Sequence, residues 1–291
     1  MKAAVVTDFA QPPRYQEFEE PRGDVVEVLA AALSPRVRSQ AAGSHYSSRD
    51  ELPLIPGIDG VGRTSTGELR YFLLPDTNRG AMAERVEIDL RRSIRVSKGA
   101  DPVQLAAAMN PVMSSWVALR RRAGLKPGQR VLVLGANGNA GRLALQVARR
   151  LGAGEVTGLG REQMADGVAL AEAGARADIV LDYLWGEPTA QALRAIVPSR
   201  VDDGQRLTWV QIGSVAGLES PIPSAALRAV NLRIVGSGQG SVDPGDIKKE
   251  LSAIAREVGR GTFDLHARAV PLSEVESTWN EKTSDRVVFV P

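Results

Sequence analysis

Residues 131–141 read Val-Leu-Val-Leu-Gly-Ala-Asn-Gly-Asn-Ala-Gly. The four apolar residues predict a buried strand. Gly135, Gly138 and Gly141 follow at intervals of three, and the segment 142–151 sets Leu143, Val147 and Leu151 on one helical face. Strand, glycine turn and helix together form a geometry that lets a backbone approach a pyrophosphate. The glycines remove Cβ atoms that would block the approach, and the helix N-terminus favours negative charge. A glycine triplet alone is a weak signal, but here the strand before it and the helix after it supply the required context. The competing reading is a tight strand-to-helix turn that holds no ligand.

Working outward, further apolar strand candidates lie at Glu155–Leu159, 178–181, 208–212 and 232–235, with helical stretches at 161–174, 189–197 and 224–230. This alternation predicts an α/β fold built on a doubly wound parallel sheet, in which ligands bind at the carboxyl ends of the strands. The turn residues Gly135, Ala136, Asn137, Gly138, Asn139, Ala140 and Gly141 are then the expected dinucleotide contacts. Ile212, Gly213 and Ser214 end the fourth strand, and Gly236, Ser237 and Gly238 end the fifth; both sets should border the nicotinamide. Asp182 ends the third strand and reads as a turn or helix-cap residue. The second strand ends in Leu159-Gly160-Arg161. A site that prefers NADH places an acidic side chain there for the ribose hydroxyls. Gly160 and Arg161 offer none, and the planar fork of Arg161 suits a 2′-phosphate. The expected cofactor is NADPH. The competing reading of Arg161 is a solvated first residue of a helix.

The first hundred residues differ in texture. Short β-like runs at 2–7, 24–32, 69–74, 82–88 and 93–96 are punctuated by Pro and Gly. The pattern turns helical at 102–109 and again at 115–123, with Asn110-Pro111 between them as a helix end. After a Gly/Ser stretch at 236–241, Asp243 and Pro244 open a helix to about Val258, which Gly259 closes. Strand candidates at 265–270 and 286–290 follow. These patterns predict a β-rich domain made of residues 1–112 and 239–291, with a dinucleotide-binding domain, 113–238, inserted into it.

At 291 residues the chain is long enough for two cores. Apolar residues make up 43% and charged residues 24%, with a net charge of +2, a balance that argues against a nucleic-acid surface. The short runs of arginine at 91–92, 120–122 and 149–150 read as solvated faces. No apolar run reaches bilayer length, and no signal-peptide layout precedes the first strand, so the expected location is cytoplasmic. There is no cysteine and there are two histidines. Disulfides, thiol catalysis and cysteine-based zinc sites are excluded, and no metal site is expected.

The stretch 123–141, Ala-Gly-Leu-Lys-Pro-Gly-Gln-Arg-Val-Leu-Val-Leu-Gly-Ala-Asn-Gly-Asn-Ala-Gly, resembles the medium-chain dehydrogenase/reductase superfamily, and more narrowly its zinc-free quinone oxidoreductase and enoyl reductase branch. The opening strand Lys2-Ala-Ala-Val-Val6, the turn Pro56-Gly-Ile-Asp-Gly-Val-Gly62, the strand entry Gly80-Ala-Met-Ala-Glu84 and the ending Pro271-Leu-Ser-Glu-Val275 with 286–291 are similar to that family in order. The resemblance implies a GroES-like catalytic domain beside a Rossmann domain, a homodimer, and a small-molecule quinone or α,β-unsaturated carbonyl substrate. It also implies cofactor contacts at Asn110 and Ser114, with Trp116 as core or pocket wall. Gly43-Ser44-His45-Tyr46 resembles the Gly-x-Tyr loop that faces the nicotinamide, with one extra residue, and nominates Tyr46 as proton donor ahead of His45; the competing reading of Tyr46 is an aromatic lid packing on the cofactor. Gly57-Ile58-Asp59 lacks the histidine that zinc members carry. The usual Asn-Pro-x-Asp reads Ser34-Pro35-Arg36-Val37, and residues 62–74 form a compact hairpin that leaves the cleft more open. Two rivals remain. One is a non-catalytic NADPH-binding protein on the same fold. The other, a short-chain carbonyl or alcohol oxidoreductase, is disfavoured because its glycine motif lies near the N-terminus.

Overall fold

In the first part of the chain the expected β-like runs form strands, and a strand at Arg14–Glu17, a helix at Pro35–Ala41 and a strand at Asp59–Thr64 add to them. The computed structural model describes residues 1–48, 51–238 and 240–291. β1 (Lys2–Val5) pairs antiparallel with β2 (Arg14–Glu17). β3 (Val25–Ala32) alternates buried and more exposed positions at its start and has a bulge between Val28 and Ala30. α1 (Pro35–Ala41) follows, then β4 (Asp59–Thr64), β5 (Leu69–Leu73), β6 (Arg85–Glu87), β7 (Ser93–Arg95) and α2 (Pro102–Val117). The middle of the chain contains β8 (Arg130–Leu134), α3 (Asn139–Arg150), β9 (Glu155–Leu159), α4 (Arg161–Met164), α5 (Gly167–Gly174), β10 (Ile179–Asp182), α6 (Gly186–Ile196), β11 (Leu207–Gln211), α7 (Ala226–Ala229) and β12 (Leu232–Gly236). α8 (Pro244–Gly259), β13 (Ala267–Pro271), α9 (Val275–Thr278) and β14 (Arg286–Val290) close it.

Two compact units result, Met1–Asn110 with Leu251–Pro291, and Pro111–Glu250. Gln239, where the sequence reading resumes the β-rich domain, lies outside the described residues. In the first unit a mixed sheet runs β13-β14-β3-β4-β5-β7, with β6 also paired to β3. Its core gathers Val5, Ile55, Phe72, Met82 and Phe289. Segments far apart in sequence meet in this sheet, since β14 pairs with β3. In the second unit five parallel strands lie in the order β12-β11-β10-β8-β9. The strand order reverses on either side of β8, which creates a crevice at the carboxyl ends of β8 and β10. Leu132, Leu134, Leu193, Ile196 and Trp209 form the core on this sheet. β9 and β12 are edge strands and bury less of their surface.

Three sequence expectations are corrected. Asn110-Pro111 does not end a helix, because α2 runs through Pro111 to Val117 and continues as a wider π-type turn at Ala118–Ala123. Pro111 removes one N–H donor, yet Ala106–Met109 and Trp116–Leu119 are buried along the helix, and that burial outweighs the lost bond. The helix ends at Gly124, whose φ of 68° is the left-handed conformation glycine adopts without steric cost. The stretch 161–174 is two helices, since Asp166 accepts from the amides of Val168 and Ala169 and starts α5. Ser34–Val37 forms the start of α1. Ser34 accepts from the Val37 amide at 3.1 Å with Pro35 in the first turn, a strong N-cap arrangement. The helix expected at 224–230 shrinks to the single turn of α7.

Candidate active site

The glycine turn joins β8 to α3. Gly135 has a φ of 85°, and its N–H and that of Ala136 both donate to the Leu159 carbonyl at 3.0 Å, which ties the turn to the end of β9. A Cβ at Gly141 would collide with the Gly135 carbonyl oxygen and lie 2.8 Å from the Ala136 Cα, so only glycine allows this crossing. Gly138 is the N-cap of α3 and supplies no side chain, leaving the first amides of the helix, from Asn139 to Gly141, without a side-chain cap. They form a site of partial positive charge open to an anion. Asn137 is exposed, and its side chain occupies the space that a Cβ on Gly160 would need. These features fit a dinucleotide pyrophosphate.

The register aligns the neighbouring strand ends with this turn. Leu134 pairs with Leu159 and Asp182, Asp182 with Gln211, and Gln211 with Gly236. Gly160 caps α4, its N–H donating to Gln163 at 3.1 Å, and Arg161 is the exposed first residue of that helix. Among the described residues no carboxylate pairs with Arg161. Ile212 and Gly213 donate to the Asp182 carbonyl at 2.8 and 3.2 Å, and a Cβ on Gly213 would crowd the Tyr183 carbonyl at 2.7 Å. Ser214 follows directly. Ser237 donates to the Gln211 carbonyl at 2.8 Å, and Gly238 donates to the Ser241 hydroxyl at 2.8 Å.

Asp182 has the expected turn role. One carboxylate oxygen accepts from the amides of Leu184 (2.9 Å) and Trp185 (3.1 Å), and the other from the Trp209 indole (2.9 Å) and the Thr189 hydroxyl. This network holds Trp185 at a φ of 55°, a conformation that costs about 1–3 kcal/mol in a non-glycine residue. The next residue along the strand end, Tyr183, is a phenol the sequence reading passed over. Its hydroxyl lies 3.2 Å from that of Ser114, which donates to the Pro111 carbonyl at 2.8 Å. Burial pushes the Tyr183 phenol up to about 12. The strand-end rule that picked out Ile212 would have found it. Trp116 is core: it is buried, and its indole donates to Glu250 at 2.9 Å. The same carboxylate takes Arg120 and Arg121, while Arg122 donates to the Gly236 carbonyl at 2.7 Å, so the run at 120–122 is bonded within its unit.

The first unit holds the remaining candidates. Asn110 is half-buried in the middle of α2. Tyr46 lies beyond α1 and is 76% exposed, with no hydrogen-bond partner among the described residues. The rings of His45 and Tyr46 lie 4.3 Å apart and are tilted by 34°. Asp59 opens β4 and is buried; the Tyr71 hydroxyl donates to it at 2.7 Å. Burial pushes the Asp59 carboxyl up to about 6, against the pull of Tyr71, Arg286 and Arg36. Among the described residues no three His, Cys, Asp or Glu side chains cluster as metal ligands. None of the described helices is long and apolar enough to cross a membrane.

No family model matches the chain. A probable NADPH-dependent quinone reductase of Emericella nidulans is 30% identical over the full length of both chains. Among solved structures, the quinone oxidoreductase of Thermus thermophilus, studied also in complex with NADPH, is 25% identical with a TM-score of 0.78 over the whole of both chains. An alcohol dehydrogenase superfamily protein of Novosphingobium aromaticivorans, 19% identical, shares the fold with a TM-score of 0.80 over 100% of this chain and 99% of its own.

Proposed function

The chain belongs to the quinone oxidoreductase branch of the medium-chain dehydrogenase/reductase superfamily, and from that premise we propose that it reduces a quinone or an activated α,β-unsaturated carbonyl double bond with NADPH. The observation that carries this reading is the uncapped start of α3 behind a turn that only glycine can make at Gly141. Residues Gly135 to Gly141 would hold the pyrophosphate, and Arg161, beside Gly160, the 2′-phosphate. Asn110, Ser114, Ile212, Gly213, Ser214, Gly236, Ser237 and Gly238 would flank the nicotinamide. When bound, NADPH supplies the hydride. The substrate oxygen then gains negative charge and needs a hydrogen-bond donor or an acid. Tyr46 offers an exposed phenol for that role. A homodimer is part of the same reading.

The test is direct. The purified protein is mixed with NADPH or NADH, and absorbance of the reduced nicotinamide is followed with a simple quinone and with an enone. Turnover with NADPH, and slower turnover with NADH, supports the reading. Tight binding of NADPH with neither substrate reduced would favour the non-catalytic rival.

A further inference from the structure

Tyr183 follows directly on β10, and its backbone lies between two glycines of the candidate cofactor site. Its N–H donates to the Leu134 carbonyl at 3.3 Å, at the end of β8. A Cβ on Gly135 would lie 3.5 Å from the Tyr183 Cβ, and a Cβ on Gly213 would lie 2.7 Å from the Tyr183 carbonyl oxygen. The residue therefore stands at the carboxyl ends of β8 and β10, where the strand order reverses and a doubly wound sheet takes its ligand. Its side chain is buried and reaches Ser114 of α2. Tyr183, Ser114 and Pro111 all belong to the second unit.

The hydrogen bonds of this pair follow from the protons available. A serine hydroxyl has one proton and two lone pairs. Ser114 donates its proton to the Pro111 carbonyl at 2.8 Å. The Tyr183 hydroxyl, 3.2 Å away, is then the donor to Ser114. Burial, against the pull of Ser114 and Ser115, pushes that phenol up to about 12, so it keeps the proton it donates throughout the neutral range. One lone pair on Ser114 Oγ is left. Ser114 is half-buried, and no other described residue bonds to its hydroxyl. With its own proton committed, the hydroxyl offers a ligand an acceptor and nothing else.

We propose that Tyr183 is a positioning residue for the cofactor: by donating to Ser114 it holds that hydroxyl as an acceptor for the carboxamide N–H of the nicotinamide. This rests on the NADPH reading, in which Ser114 flanks that ring. The match is one of hydrogen-bond polarity, since an amide NH2 only donates and Ser114 only accepts. A bond at the carboxamide also resists rotation of the ring about its link to the ribose.

Calorimetric titration of the whole protein with NADP+ and with its 3-acetylpyridine analogue, in which a methyl group replaces the carboxamide NH2, tests this. Wild type should bind NADP+ roughly three- to tenfold more tightly than the analogue, and equal affinities overturn the contact. Ser114→Ala should lose about that same factor for NADP+ and nothing for the analogue. Ser114→Thr keeps a hydroxyl that bonds back along the helix and should bind NADP+ as wild type does. Tyr183→Phe keeps the ring, and should weaken NADP+ alone. In the Ser114→Ala background it should cost nothing further, because Tyr183 acts through that hydroxyl. Equal losses for NADP+ and the analogue in Ser114→Ala overturn the carboxamide contact, and additive losses in the double variant overturn the positioning role. If wild type binds neither NADP+ nor NADPH, the cofactor reading itself fails and takes this one with it. If wild type binds them and the variants match it, the positioning role alone is overturned.

Discussion

Arg161 stands at the start of α4, exposed and beside Gly160. If it holds the 2′-phosphate, Arg161→Ala should weaken NADPH by ten- to a hundredfold, the equivalent of about 1.5–3 kcal/mol for a charge-assisted contact. NADH affinity should barely change, and calorimetric titration of both cofactors decides; equal losses would remove the assignment. Tyr46→Phe keeps the ring that stacks on His45 and removes the hydroxyl. The expected result is a fall of ~100-fold or more in kcat with an enone, a smaller fall with a quinone, and unchanged NADPH affinity. An enone rate equal to wild type would leave Tyr46 as a covering ring only. Asp59 is a different kind of residue, because its pKa is about 6 in the folded unit against an ordinary 3.8. The folded form binds that proton more tightly than the unfolded chain does. Its stabilisation is complete below about pH 4 and is lost as the pH rises through 6, amounting to about 3 kcal/mol. Asp59→Asn still accepts from Tyr71 but does not titrate. Urea midpoints should therefore lose this pH dependence and exceed those of wild type at pH 8. The sequence gives no sign of this effect, because desolvation depends on Phe72, Ala81 and their neighbours closing over β4.

Elements were legible where a local rule dominates. The run at 131–134 lies in β8, and the glycine spacing fits the turn into α3 because Gly135 takes a positive φ and Gly141 lies against the backbone of Gly135 and Ala136. A break at Pro111 is what a local proline rule predicts, and α2 runs through it, since such a rule does not count the burial of both flanking turns. The loop after β10 shows how one side chain sets an element boundary. Asp182 accepts four hydrogen bonds and fixes Trp185 at positive φ, which sets where α6 begins. Asp182→Asn turns an amide NH2 toward one donor pair, and thermal unfolding should show a loss of about 2–4 kcal/mol. An unchanged melting temperature would show that the loop does not need the carboxylate.

At the scale of the whole molecule, chemistry without a metal is the expectation, since the chain has no cysteine and no ligand cluster among its described residues. Prolonged chelation should leave the melting temperature and any reductase activity unchanged, and stoichiometric zinc by elemental analysis would contradict this. By itself the sequence determined the α/β class, the parallel order of strand and helix, and the strand–glycine–helix unit, because periodicity and glycine placement act within a few residues. It also excluded thiol chemistry by composition. Tertiary structure alone decided what depends on distant residues meeting. β14 lies against β3, almost the full length of the chain away. Asp182 reaches Trp209, and Ser114 finds Tyr183. Asp59 loses water and holds its proton. Hydrogen-bond satisfaction and desolvation are properties of an enclosed volume, and no stretch of sequence contains that volume.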